Sequence, residues 1–267
     1  MVTKHRFHGL ELRVRSLPGA RASRVIHPPG QRIDEHRHDW PLLTIPALGG
    51  YREEFDGGAI AIDGPAVIFH PPGRCHANCI HARGMETFSI EFDPAWLEPS
   101  GVHLPFDRSR YWLGGEVALA SRRLMRLWTV GRVNERSVLD GTAAFLRAAH
   151  AQPAQRVPTW FERARRLTSR HGLPASDIAR RLDLNPTWLA HAYRTAAGEG
   201  LRETAIRRRV EEAVAALRDT SRPIADIALD HGFCDQSHLN RALRRLTGRT
   251  PLQIRSEGTQ LRALIPA

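Results

Sequence analysis

Gln236, Ser237, Asn240 and Arg241 fall within about one and a half turns of a helically spaced segment, while Leu239 and Leu243 take its other side. These are the side-chain types that read base edges in a major groove: Arg pairs with guanine, Gln and Asn with adenine, and Ser with either donors or acceptors. Arg244, Arg245 and Arg249 follow and suit phosphate. A solvated polar helix face is the plain alternative. Other residues offer different chemistry. His36 and His38 lie two apart in a strand-like segment and so point to one side. His76 from another strand would complete a facial set of three imidazoles for a divalent transition metal, zinc first. Cys75, Cys79 and His81 lie near His76, but strand alternation separates the two cysteines from it.

The elements that must position these groups divide the chain. Residues 23–93 read as short strands between Gly and Pro turns, as in SRVIHP, LLTIPAL, GYREEFDG, GAIAIDG, AVIFHPPG and TFSIEFDP. Such even spacing predicts a small antiparallel barrel or sandwich. A barrel mouth would bury a small effector, with His36, His38, Trp40, Tyr51, Glu53 and His76 as lining candidates. Residues 114–130 and 137–150 carry helical spacing and predict a hairpin, which either pairs two subunits or caps the barrel. The Pro-containing stretch 151–159 reads as a linker. Beyond it the expected helices are 159–171, 175–182, 186–196, 201–219, 224–230, 236–246 and 251–256, with Pro174, Pro186, Pro223 and Pro251 near helix starts.

Composition fits this division. The chain has 267 residues, 42% of them hydrophobic, enough for one large or two ordinary domains. No apolar run approaches the roughly 20 residues of a membrane span, the first residues lack a secretory core, and three cysteines (Cys75, Cys79, Cys234) suit a reduced cytoplasm. The formal charge is +11: residues 1–155 hold 19 Lys+Arg against 16 Asp+Glu, and residues 156–257 hold 19 against 12. The positive excess is therefore denser in the helical part, where nucleic acid is the leading partner. An arginine-biased composition, with Lys4 the single lysine, is the plain alternative.

The helical part repeats itself. Asp177-Ile178-Ala179 matches Asp226-Ile227-Ala228, and Leu184 matches Phe233, at an offset of 49. Leu189, Tyr193 and Gly198 then match Leu239, Leu243 and Gly248 at an offset of 50. A duplicated helix-turn-helix accounts for this, with one extra residue near the second turn. Ile178, Ala179 and Leu182 would pack on Leu189 and Tyr193; Ile227 and Ala228 on Leu239 and Leu243. Between the copies, Ile206, Val210, Ala213, Val214 and Leu217 form one stripe of a rod about 28 Å long. That length sets two heads into successive major-groove turns, about 34 Å apart. The first head offers Thr187, Trp188, Ala190 and His191 to bases and Arg194 to phosphate, a poorer set than the second.

Two resemblances follow. Arg209, Ala213 and Leu217, then PIADIALDHGFCDQSHLNRALRRLTGRTP, resemble the DNA-binding domain of AraC/XylS-family transcription regulators over roughly residues 159–256. Leu239 and Leu243 stand where that family usually has Phe, and the first unit departs at Ala190 and His191. The resemblance implies DNA binding through positions 187–194 and 236–245. Gly30 with His36-x-His38 resembles the first cupin motif, and Pro71-x-Gly73-x2-His76 the second. The cupin carboxylate is missing from Trp40-Pro41-Leu42-Leu43-Thr44, and Ile80 replaces the expected Asn.

The expected architecture is thus α+β with two domains: a cupin-like antiparallel β-barrel (1–113), a helical linker that either pairs two subunits or caps the barrel (114–155) and an all-α double helix-turn-helix domain (156–267), its units at about 175–196 and 224–246. The expected function is a cytoplasmic, non-enzymatic, sequence-specific transcription regulator. Its expected partners are double-stranded DNA, a small-molecule effector, a second copy of the chain and, for an activator, RNA polymerase, with no membrane. The alternative is a metal-dependent cupin enzyme tethered to a DNA-binding domain.

Overall fold

The computed structural model describes residues 9–55, 58–63, 66–101, 109–112, 115–129, 134–152, 159–171 and 173–264. Most of the expected linker, residues 153–158, lies outside them. The amino-terminal part is one antiparallel sheet of eight strands: β1 (Leu10–Leu17), β2 (Ala20–His27), β3 (Arg32–His36), β4 (Leu42–Phe55), β5 (Gly58–Asp63), β6 (Val67–His70), β7 (His76–Phe92) and β8 (Arg110–Trp112). The strand order is β1-β2-β7-β4-β6-β8, with β3 on β7 and β5 on β4. The long strands β4 and β7 pair from Leu42–Glu91 to Phe55–His76. LLTIPAL and GYREEFDG are therefore not separate strands but one, β4. Its register slips between Pro46 and Leu48 and again between Gly49 and Tyr51. The Gly49–Gly50 pair reads as a break between two strands, while Pro46, which has no N–H, lies inside LLTIPAL; here both sit at irregularities within one continuous strand. β7 also pairs with β2 over Met85–Phe92 and with β3 over His76–Cys79.

A short helix α1 (Pro94–Leu97) precedes the hairpin α2 (Gly115–Thr129) and α3 (Glu135–Ala151). The apolar stripes of the hairpin are spent on the barrel. Val117, Leu124, Trp128, Phe145 and Leu146 share one buried cluster with Phe69, Phe88, Ile90 and Trp112. The hairpin packs on the sheet, so most of the stripe that could pair subunits is covered within the chain, while Leu127 stays exposed.

Among the described residues seven helices follow: α4 (Thr159–His171), α5 (Ala175–Leu182), α6 (Pro186–Ala197), α7 (Leu201–Asp219), α8 (Ile224–Asp230), α9 (Gln236–Thr247) and α10 (Pro251–Leu264). Six agree with the sequence expectation to within one residue. α10 runs eight residues further and crosses α7 at Gly258. A Cβ there would lie 2.3 Å from the Arg218 carbonyl oxygen. Among the described residues no helix is long and apolar enough to cross a membrane.

The two parts are packed together. Leu48 of the barrel joins the cluster of Val210, Val214 and Leu217 on α7. Arg122 of α2 donates to the Gly198 carbonyl and lies 3.5 Å from Glu199. Beneath these contacts, Glu86 of β7 meets Arg24 of β2, Arg218 of α7 and Arg249, while Glu257 of α10 joins Arg218 and Arg249.

Candidate nucleic-acid interface and barrel site

The two helix-turn-helix units are the same structure built twice. In α5–α6 the Leu184 N–H donates to the Ala179 carbonyl at 2.9 Å; in α8–α9 the Phe233 N–H donates to Ala228 at 2.9 Å. Both turns pass through the left-handed region, at Asp183 (φ 55°) and Gly232 (φ 73°). Past the turn the offset becomes 50. Asn185 Oδ1 accepts from Thr187 and Trp188, as Asp235 Oδ1 accepts from His238. Each thereby caps a helix whose first N–H groups have no partner within the helix. Cys234 is therefore the extra residue, and it loops out exposed.

Each unit buries its inner face completely. Ile178, Ala179, Leu189 and Tyr193 form one core, and Ile227, Ala228, Leu239 and Leu243 the other, all at 0–1% exposure. Small Ala179 and Ala228 let the paired helices approach. The spacer α7 contributes Val210, Ala213, Val214 and Leu217 to the second core, and its Arg209 donates to the Gly232 carbonyl. Arg207 of α7 is pinned by Glu199 and Glu211, so the rod is clamped at its amino-terminal half.

With the inner faces fixed, the outer faces present the sequence-predicted readers. Thr187, Trp188, Ala190, His191 and Arg194 are exposed on α6, and Gln236, Ser237 and Arg241 on α9. Trp188 packs edge-on against Trp160 of α4, ring centroids 5.2 Å apart, and still keeps 47% exposure. Asn240 is half-buried, and its side-chain oxygen has no hydrogen-bond partner. Arg244 and Arg245 are exposed at the end of α9. Arg249 departs from the expectation. It is 9% exposed and turned toward the barrel, bound to Glu86 and Glu257, so in this arrangement it does not face phosphate. Its place after Arg244 and Arg245 suggested a further phosphate contact, and nothing local marks its partner, Glu86, 163 residues away.

The barrel gathers a second polar cluster. His36 at the end of β3 pairs with His76 at the start of β7, their ring centroids 4.3 Å apart, and His38 lies 5.3 Å from His76. The ligand atoms of His36, His38 and His76 come within 4.8 Å of one another, and so do those of Glu53, His70 and His76. His70 was not anticipated. It closes β6 and stacks on His76 at 4.2 Å. Its one sequence signal was a histidine ending an apolar run, AVIFH. The carboxylate absent from the cupin-like spacing is replaced from further along β4 by Glu53. Glu53 accepts hydrogen bonds from Tyr51 and Tyr111 and lies 3.5 Å from His70. Burial alone would favour its neutral acid; His70, His76 and Tyr111 outweigh this and hold the carboxyl below its ordinary pKa. Burial, and then the neighbouring His70, lower His76 to about 3, so its imidazole is neutral at pH 7. The His76 Nδ1 is buried without a hydrogen-bond partner.

The cavity these residues line measures about 70 Å³, room for an ion and one or two waters. Organic effectors occupy roughly 300–1,000 Å³. His36, His38, Tyr51, Glu53 and His76 line it as expected; Trp40, half-buried in the bend after β3, does not. Cys75 and Cys79 join neither ligand set among the described residues.

Comparison with known proteins bears on the helical part first. Residues 178–257 match the family model of a helix-turn-helix domain. Among solved structures, ToxT from Vibrio cholerae with an unsaturated fatty acid bound is similar at 10% identity over 95% of this chain and 99% of that one, with a TM-score of 0.40. The C-terminal domain of AraT, a response regulator from Geobacillus stearothermophilus, is similar at 25% identity over 39% of this chain and 88% of that one, with a TM-score of 0.36. A cupin superfamily protein from Desulfitobacterium hafniense is similar at 17% identity over 33% of this chain and 82% of that one, with a TM-score of 0.30. No curated protein sequence matches the chain.

Proposed function

We infer that this chain, which carries a carboxy-terminal helix-turn-helix domain of the AraC type, is a sequence-specific DNA-binding transcription regulator. One observation carries the reading: two copies of one reading head, with matching turn hydrogen bonds, flank the 19-residue rod α7. At 1.5 Å per residue α7 spans about 28 Å, which suits successive major-groove turns on one face of a duplex. Gln236, Ser237, Asn240 and Arg241 are the principal base readers, with Thr187, Trp188, Ala190 and His191 the weaker set. Arg194, Arg244 and Arg245 hold phosphate. The reading extends to a cytoplasmic protein that meets RNA polymerase at activated promoters and pairs with a second copy at repeated sites.

The barrel is the sensory part of this proposal. Its donor set, imidazoles with one carboxylate, and the unpartnered His76 Nδ1 fit a divalent transition metal, zinc foremost. His36, His38 and His76 would hold it, with His70 and Glu53 in reach. When bound, the ion would supply a Lewis-acid centre and a tie between β3 and β7. The same cluster favours a second reading, a metal-dependent enzyme attached to a DNA-binding domain; turnover of oxygen by the metal-loaded protein would select it.

Selection of full-length protein against a randomised duplex library tests the proposal. The expected product is a motif of two short blocks about one helical turn apart, roughly 10 base pairs. Recovery of no sequence above random competitor at moderate salt would refute it.

A further inference from the structure

The position that follows the glycine stop of each reading helix carries a charge held by the amino-terminal domain. Gly198 ends α6 and Gly248 ends α9, both in the left-handed region, and the offset of 50 makes Glu199 and Arg249 equivalent. In the first unit Arg122 of α2 donates to the Gly198 carbonyl and lies 3.5 Å from Glu199. The start of α2 lies close against this helix end: a Cβ on Gly198 would stand 3.3 Å from the Gly115 carbonyl oxygen and 3.4 Å from the Ala118 Cβ. In the second unit Glu86 of β7 binds Arg249. The signs are opposite, so the amino-terminal domain offers a cation to one head and an anion to the other. Exchanging the heads would set Arg122 against Arg249 and Glu86 against Glu199. The Glu199 and Arg249 side chains are only 10% and 11% exposed, so little solvent would screen those like charges.

The same two residues lead into the spacer. Glu199 accepts from Arg207 in the first half of α7, and Arg249 shares Glu86 with Arg218 at the far end. Between them Leu48 of β4 joins the cluster of Val210 and Val214, and Arg83 of β7 lies 3.8 Å from Glu212. The amino-terminal domain thus touches the end of each reading helix and the rod that separates them. It leaves the reading faces open: Thr187, Trp188 and His191 on α6, and Gln236, Ser237 and Arg241 on α9, are exposed. A contact with both heads that covers neither set of readers acts as a splint, not as a lid. We propose that the docked amino-terminal domain fixes the distance and phase at which the two heads meet DNA, with Arg122 and Glu86 as positioning residues for the spacing of the two half-sites. The proposal rests on the DNA-binding reading and adds to it the source of spacing selectivity. A preset arrangement loses little conformational freedom on binding and matches one interval. Loosened heads reach several intervals, each at an ordering cost.

The test uses the full-length protein and the two-block duplex recovered from the randomised library, with the interval between the blocks unchanged, or shortened or lengthened by two base pairs. Two base pairs move one block about 7 Å along the axis and about 70° around it. The wild type should lose at least about tenfold in affinity on either altered duplex. Arg122→Gln removes a side chain that keeps 28% exposure at the margin of the interface. It should weaken binding to the parent duplex about threefold and cut the interval penalty to about threefold or less, with the base preferences inside each block unchanged. Arg249→Gln should do the same and leave the dependence of affinity on salt unaltered. Should the loss of Arg249 from Glu86 unfold the chain, Arg122→Gln decides alone. The proposal is overturned if the wild type tolerates an altered interval, or if Arg122→Gln discriminates intervals as the wild type does. It is also overturned if Arg249→Gln flattens the salt dependence, since Arg249 then leaves Glu86 for phosphate and the docked arrangement is not the one that reads DNA. Each of these results leaves the regulator reading intact, because the recovered motif upholds it; only failure of the library selection removes both.

Discussion

Replacing Glu86 by Gln tests the charged knot that joins the two domains. Glu86 is 0% exposed on β7 and faces three guanidinium groups, Arg24 from its own domain and Arg218 and Arg249 from the other. Burial by itself would drive the carboxyl toward its neutral form. The arginines outweigh that and lower its pKa from 4.5 to about 2. At 1.36 kcal/mol per pH unit this depression corresponds to about 3 kcal/mol of stability. That agrees with the roughly 3–5 kcal/mol lost when one partner of a buried ion pair is removed. The sign follows from the direction: the folded carboxyl is the stronger acid, so its contribution is complete above about pH 4.5 and disappears as the pH falls to about 2. Urea unfolding at pH 7, followed by tryptophan fluorescence, should find Glu86→Gln about 3 kcal/mol less stable than the wild type, and the gap should close on acidification. Equal stability at pH 7, or a gap that persists unchanged at low pH, would refute the reasoning.

Arg241→Ala should cost about 1–3 kcal/mol on the best duplex and relax one base position, read by a base-by-base binding scan; loss without relaxation would deny it a base contact. Arg244→Ala should weaken all sequences alike and flatten the dependence of affinity on salt, and an unchanged slope would remove it from the phosphate set. Gly258→Ala sets a helix-propensity gain of about 1 kcal/mol against an overpacking cost of about 1–3 kcal/mol. With the Arg218 carbonyl 2.3 Å from the new carbon, the clash wins and the melting temperature falls; a rise would show that α10 can move off α7. His76→Ala should lower the zinc content of purified protein measured by elemental analysis, and full retention would discard the imidazole set.

What could be read from the chain beforehand follows from the range of the interactions involved. Six helices of the carboxy-terminal part are set locally, by 3.6-residue periodicity and prolines at first turns, so their limits were legible, whereas the end of α10 was not. The duplication was legible too, because the same core positions recur, and the structure needed only to place the extra residue at Cys234. The barrel was legible as a class and not in its connections. Gly49 punctuates a sequence in the same way whether it ends a strand or bends one, and only pairing with β7 decides between the two. The same limit governs the sites. His36, His38 and His76 announce themselves by spacing, whereas Glu53, read only as a lining candidate, meets them because β4 pairs with β7, and His70 because β6 pairs with β4. Arg249 and Glu86 are the extreme case, since nothing along the chain distinguishes an arginine bound for phosphate from one bound for a buried carboxylate in another domain. A sequence therefore shows which faces are apolar and which residues carry chemistry, while which charged groups meet depends on how the domains dock.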